Sequence, residues 1–153
     1  MPAQYDKSGI RFAYPDNWDL IEGDGDPASG DETLVEVTVR SPATAFWSLT
    51  VYPGHRDAAP MLEQVLQAMQ AEYPDLEHET FDTAIGDAEL TGVELHFVCL
   101  DFTNTALAHV YHHEGNTHLL LRQAEDREWD TMEPVLRAVT MSMLSGEGVG
   151  SEE

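Results

Sequence analysis

The fold is decided by three consecutive stretches of the sequence: LTGVELHFVCL (residues 90–100), ALAHVYHH (106–113) and THLLLRQ (117–123). Apolar side chains recur at about every second position of each stretch, which is typical of strands with one buried face. The connections between them, DFTNT at 101–105 and EGN at 114–116, are short and polar. Short polar connections favour hairpins, so the stretches predict a three-stranded antiparallel meander.

Other parts of the chain predict further strands and two helices. Strands are predicted near residues 10–13, 35–39, 47–51 and 79–85. One helical pattern consists of Leu62, Val65, Leu66, Met69 and Tyr73, with Pro60 in its first turn and Pro74 ending it. A second consists of Met132, Leu136, Val139 and Met143. Asp130 or Thr131 is the predicted N-cap of this helix, which places Pro134 within or just past its first turn.

Consecutive hairpins and only two helices predict an α+β protein. We expect an α/β/α sandwich whose mostly antiparallel sheet of about six to seven strands is flanked by helices. The segment 22–32 is rich in Gly, Asp, Pro and Ser, a composition that predicts a loop. Residues 1–144 are interpreted as a single domain and 145–153, small and acidic, as a disordered tail.

The charge balance restricts the classes of partner. Asp and Glu number 29 against 7 Lys and Arg, giving a net charge of −22. Such a balance disfavours sequence-independent nucleic-acid binding and attachment to anionic membranes, because both need clustered cations. The sequence has neither a secretory signal pattern nor an apolar run long enough to span a bilayer, which predicts a cytoplasmic protein. With Cys99 as its one cysteine, the chain cannot form an intrachain disulfide.

The segment GIRFAYPDNWDL at residues 9–20 carries a family resemblance. Through Phe12, Tyr14, Pro15 and Trp18 it resembles the start of PsbP-like proteins, and the order of strands and helices that follows is also similar. This fold group includes the photosystem subunit PsbP, a Ran-binding nuclear import factor, DcrB-type lipoproteins and chaperones of type VI secretion effectors. The resemblance implies an antiparallel sheet with helices on both sides, and binding or assembly of other proteins rather than catalysis. It identifies no functional residue in this chain.

The meander predicts one candidate surface. If Asp101 faces Ala106 and a Gly115-Asn116 turn closes the second hairpin, Glu94 lies opposite His113, and His113 opposite His118. One sheet face then carries seven polar or aromatic residues: Glu94, His96, His109, Tyr111, His113, His118 and Arg122. The other face is apolar and forms a core surface: Val93, Leu95, Phe97, Cys99, Val110, Leu119 and Leu121.

Three interpretations of this polar face are open. His113, His118 and Glu94 could together hold Zn²⁺ or another divalent ion. Alternatively the histidines could act as a pH switch, since acidic neighbours favour their protonated form. The third interpretation is a half-exposed sheet face on which histidine serves as an ordinary polar residue. The third is preferred, so neither a metal nor a cofactor is expected.

No common catalytic motif occurs in the sequence, whether a Gly-x-Ser-x-Gly elbow, a Walker loop or a Gly-x-Gly-x-x-Gly loop. The sequence therefore favours a non-enzymatic binding or assembly protein, adaptor-like or chaperone-like, that acts on a protein partner. Two alternatives stay open: a small metal-dependent enzyme that uses the histidine face, and an acidic, salt-adapted protein of unknown role. A monomer and a small homo-oligomer are equally compatible with the sequence.

Overall fold

A computed structural model of the chain describes residues 3–7, 9–22, 34–85 and 88–146. Nine strands and two helices follow one another within these ranges. In chain order they are β1 Ala3–Lys7, β2 Ile10–Tyr14, β3 Asp19–Glu22, β4 Val35–Arg40, β5 Phe46–Tyr52, α1 Ala58–Glu72, β6 Glu77–Ile85, β7 Ala88–Cys99, β8 Phe102–His113, β9 Asn116–Glu125 and α2 Asp126–Gly146. No helix in these ranges is long and apolar enough to span a bilayer.

Seven strands form one sheet in the order β3-β4-β5-β9-β8-β7-β6, and β1 and β2 form a separate hairpin. Each neighbouring pair of strands is antiparallel. The expectation of an α+β protein with a mostly antiparallel sheet of about six to seven strands is therefore confirmed.

Helix α1 covers one face of the sheet. The apolar face predicted for the meander lies beneath it, and its buried members are Val93, Leu95, Phe97 and Val110. Leu62 is the buried residue of α1, and Val65, Leu66 and Met69 pack around it as the helical spacing predicts. The helix ends at Glu72, directly before Tyr73 and Pro74, where the sequence predicts it to stop.

The second face of the sheet lies beneath α2 and the β1–β2 hairpin. Trp47 is fully buried there; its ring centroid is 4.7 Å from that of Phe12, and its indole Nε1 donates to Thr140 Oγ1 at 2.9 Å. Trp18 is also buried in this core. Two residues that carry the PsbP resemblance, Phe12 and Trp18, thus hold the hairpin and the start of the sheet against α2.

Helix α2 differs from its prediction because it begins at Asp126, directly after β9, rather than after Asp130. Pro134 therefore lies inside the helix, where it cannot donate the usual hydrogen bond to the Asp130 carbonyl. Asp126 and Glu128 in the first turn favour this earlier start, because carboxylates interact well with a helix N-terminus. The helix also extends to Gly146, two residues into the predicted tail. Residues 147–153, and most of the loop predicted at 22–32, lie outside the described ranges.

Candidate functional site

The strand register of the meander differs from the prediction. Two-residue turns at Leu100-Asp101 and Glu114-Gly115 connect its strands, so that Glu94 pairs with Leu107 instead of residue 113. In the second hairpin the partner of His113 is Asn116 instead of residue 118. The predicted cross-strand pairs are therefore wrong, by six positions in the first hairpin and by two positions in the second. Both differences are even, so every side chain keeps its predicted face, because side chains alternate along a strand.

The seven residues of the predicted polar face do share one side of the sheet, but the side is not half-exposed. Because α2 covers it, four of the residues are buried: His109, Tyr111, His118 and Arg122. Only Glu94, His96 and His113 are partly accessible. The preferred interpretation, a half-exposed sheet face with histidine as an ordinary polar residue, is therefore wrong for His109 and His118.

The candidate metal ligands do not come together. Glu94 lies opposite Leu107, six residues along β8 from His113, which at about 3.4 Å per residue separates them by roughly 20 Å. His113 and His118 are closer, with ring centroids 6.1 Å apart. Across the described residues, no group of three His, Cys, Asp or Glu side chains is placed to hold a metal ion. The proposed set of His113, His118 and Glu94 therefore cannot form one site.

His109 is fully buried, and its environment is apolar. Its ring contacts Phe81 edge-on at 5.2 Å between centroids, and neither ring nitrogen has a hydrogen-bond partner in the described part of the chain. Burial, with a smaller effect of the Arg122 charge, lowers the pKa of His109 to about 3. His109 is therefore neutral at physiological pH, contrary to the pH-switch interpretation, which expected acidic neighbours to favour its protonation.

Arg122 is a buried cation beneath α2. Its Nη1 lies 3.8 Å from Glu133 Oε2, and the same carboxylate oxygen accepts a hydrogen bond from Arg137 Nε at 3.1 Å. Burial lowers the pKa of Arg122 to about 10, which the Glu133 carboxylate partly counteracts. The guanidinium is still charged at neutral pH, and Glu133 is the carboxylate that neutralises it. Arg122 itself is buried, whereas Glu133 is partly exposed at the surface of α2.

The accessible end of the polar face is a hydrogen-bonded chain of four side chains. Thr105 Oγ1 donates to Asp126 Oδ1 at 2.6 Å, so it accepts from His96 Nδ1 at 3.2 Å, since a hydroxyl has one hydrogen. On the opposite side of the ring, His96 Nε2 lies 2.6 Å from Glu94 Oε2. The chain joins β7 and β8 to the first residue of α2, with Glu94 against the imidazole and Asp126 connected to it through Thr105.

Two clefts meet at this chain, and His96 and Asp126 line both. The first, of about 580 Å³, lies between the sheet and the N-terminal half of α2. The second, of about 510 Å³, lies between residues 72–77 and the end of β7. We call the second cleft the acidic groove, because four carboxylates line it: Glu72, Asp75, Glu77 and Asp126. Tyr73, Phe97 and Val98 contribute apolar surface to the same groove.

The turn beside the acidic groove exposes apolar side chains. Val98, Leu100 and Phe102, which we call the hairpin tip, are 59%, 86% and 40% exposed. Leu100 and Asp101 both have positive φ, 53° and 70°, as the two central residues of a type I′ turn require. Arg127 lies over the Phe102 ring at 4.1 Å from its centroid.

The hairpin tip is not apparent from the sequence, in which Leu100 continues a strand pattern and Phe102 falls in a predicted loop. The available signal was the strand-forming run Phe102–Thr105, which leaves only two residues for the turn.

The all-antiparallel seven-stranded sheet lies between α1 on one face and α2 with the β1–β2 hairpin on the other, which agrees with the fold that the PsbP resemblance implies. The solution structure of cyanobacterial PsbP (CyanoP) from Synechocystis superposes on the chain with a TM-score of 0.65 at 16% sequence identity, covering 92% of this chain and 90% of CyanoP. This likeness establishes the fold and is too distant in sequence to assign a function.

Two further solved structures are similar at lower scores. PA94 of Pseudomonas aeruginosa, a protein of unknown function, has a TM-score of 0.49 at 12% identity over 99% of both chains. LpqN of Mycobacterium tuberculosis, involved in cell envelope biogenesis, has a TM-score of 0.46 at 16% identity over 91% of this chain and 86% of LpqN. No protein-family model and no curated protein sequence matches the chain.

Proposed function

We propose that the protein is a non-enzymatic binding or assembly protein that holds a protein partner at the hairpin tip. The observation that carries this proposal is Leu100. It is 86% exposed and lies at positive φ in a two-residue turn. Type I′ turns favour Asn-Gly, because in the left-handed region the Cβ atom of most residues crowds the following carbonyl oxygen.

Leu100 is therefore unfavourable for folding in two respects, its exposed apolar side chain and its backbone conformation. A large apolar side chain in solvent contributes no burial, and its backbone conformation costs about 1 kcal/mol relative to glycine or asparagine. Val98 and Phe102 extend the exposed apolar surface on both sides of the turn. Residues that violate local preferences without a structural benefit are typical of binding sites.

The net charge supports a partner other than a second copy of the chain. Two chains that each carry −22 repel one another, whereas a partner with basic residues is attracted and its encounter is accelerated. The same net charge disfavours binding to nucleic acids and to anionic membranes. The proposal places this interaction in the cytoplasm and involves neither cofactor nor metal.

The experiment compares three purified proteins as baits in a lysate of the source cell at moderate salt. They are the wild type, a turn variant (Leu100→Asn with Asp101→Gly) and a control (Glu114→Asn). The control converts the other two-residue turn of the meander into Asn-Gly and also removes one carboxylate. We expect the wild-type and control baits to retain a common partner protein. The amount of this partner on the turn variant should be at least tenfold lower. Equal retention by all three baits would contradict the proposal.

A further inference from the structure

We infer that the segment of the partner that docks here is basic with an apolar anchor, and that it occupies the acidic groove beside the hairpin tip. This inference rests on the proposed function and specifies its site and the chemistry of the ligand. The groove combines apolar surface and carboxylates along one cleft that is open to solvent, and each component selects a different part of the ligand.

The apolar part of the groove suits an aliphatic or aromatic side chain. The Tyr73 ring stacks on Phe97 with centroids 4.5 Å apart. Val98, which is 59% exposed, lines the same groove. Tyr73 packs against the core beneath α1, and a side-chain hydrogen bond to Cys99, together with burial, raises the pKa of Tyr73. A fixed aromatic platform beside exposed aliphatic side chains is a suitable anchor position.

The carboxylates of the groove lack cations of their own. Glu72, Asp75 and Glu77 are exposed, and none of them takes part in the ion pairs found among the described residues. With 29 acidic residues against 7 basic ones, the chain cannot neutralise them all internally. Lysine and arginine side chains of a partner would supply the missing charge.

Helix α1 gives a second, independent indication of a cationic ligand. Its C-terminus carries the negative end of the helix dipole, where cations stabilise and carboxylates destabilise. The last turn of α1 nevertheless contains no basic residue, and its final residue is Glu72. A cation bound beside Glu72 would interact favourably with both the carboxylate and the helix terminus.

The test is a fluorescence anisotropy titration at low salt with a labelled synthetic peptide, Lys-Lys-Leu-Phe-Lys-Lys. Two peptide controls replace the four lysines by glutamate, or the Leu-Phe pair by Ser-Ser. The groove variant is Glu72→Gln, Asp75→Asn and Glu77→Gln. Its matched control removes the same three charges from exposed positions elsewhere: Asp19→Asn, Glu36→Gln and Glu63→Gln. A thermal melt of each protein verifies that it is folded.

We expect the Lys-Lys-Leu-Phe-Lys-Lys peptide to bind the wild type and the control variant equally, and the groove variant about tenfold more weakly. Both control peptides should bind at least fivefold more weakly than the parent peptide. Absence of binding to the wild type, or equal weakening by both variants, would overturn the inference. The proposed function has a separate outcome. If a partner needs the hairpin tip but binds the groove variant as tightly as the wild type, the proposed function stands and the groove is not its binding site.

Discussion

Gly92 and His109 lie directly opposite each other on β7 and β8, closer than any larger residue at position 92 would allow. A Cβ atom added to Gly92 would be 2.7 Å from both His109 Cδ2 and the Ala108 carbonyl oxygen. The histidine ring thus fills the space that a side chain would occupy, with Phe81 against its edge. The buried histidine and the glycine opposite form one packing unit.

Replacing Gly92 by alanine should therefore destabilise the protein. The added methyl group must displace either the ring or the β8 backbone, which costs about 2 kcal/mol of unfolding free energy for an overpacked core. Urea denaturation measures the change. The neighbouring Thr91→Ala, at an exposed position of the same strand, serves as control and should change the unfolding free energy by less than about 0.5 kcal/mol. Equal stability of Gly92→Ala and the wild type would contradict the packing described.

His109 makes the stability depend on pH in a defined direction. Its folded-state pKa, about 3, lies below the ordinary 6.5, so the unfolded chain binds a proton first as the pH falls. This contribution to stability is present above about pH 6.5 and is lost progressively toward pH 3, at up to about 1.4 kcal/mol per pH unit.

The variant His109→Leu isolates that effect, because it removes the titrating group and keeps an apolar side chain. We expect the difference in unfolding free energy between wild type and variant to be constant above pH 7. Below pH 6.5 it should shift steadily in favour of the variant. A difference that stays constant from pH 7 to pH 4 would show that folding does not lower the pKa of His109.

Arg122 and Glu133 should be coupled energetically. Removing the carboxylate by Glu133→Gln leaves a buried guanidinium without its counter-charge and should cost about 2 kcal/mol of stability. Arg122→Met should cost less than about 1 kcal/mol or stabilise, because the methionine fills similar apolar space without desolvating a charge. In the double variant the cost of Glu133→Gln should largely disappear. Additive effects in this double-mutant cycle, measured by urea denaturation, would show that the two charges do not interact.

The turn at Leu100-Asp101 should be more stable with a different sequence. Both residues have positive φ, so Leu100→Asn with Asp101→Gly should raise the unfolding free energy by about 1 kcal/mol. Glu114→Asn should stabilise the other turn by a similar or smaller amount, since Gly115 already occupies its second position. If the Leu100 variant proves less stable than the wild type, Leu100 has a structural role and no longer supports a binding site.

Seven strands, both helices and the face of each meander residue follow from the sequence, because periodicity depends on side-chain alternation and not on register. The short strands β1 and β3 were not predicted. Register could not be predicted, because neither turn has the Asn-Gly signal: Leu100 looks like a strand residue and Glu114 like part of a longer loop. The burial of His109 and Arg122 could not be predicted either. It depends on α2 crossing the polar face, and local sequence does not report which face a distant helix covers.

The most direct test of the central claim, that an acidic groove and the hairpin tip bind a basic, apolar-anchored segment, is NMR mapping. Isotope-labelled protein would be titrated with the Lys-Lys-Leu-Phe-Lys-Lys peptide while backbone amide and methyl shifts are followed. We predict that the largest shift changes fall on residues 72–77 and 97–102, including the methyl groups of Val98 and Leu100. Shift changes concentrated elsewhere, or none at saturating peptide, would contradict the claim.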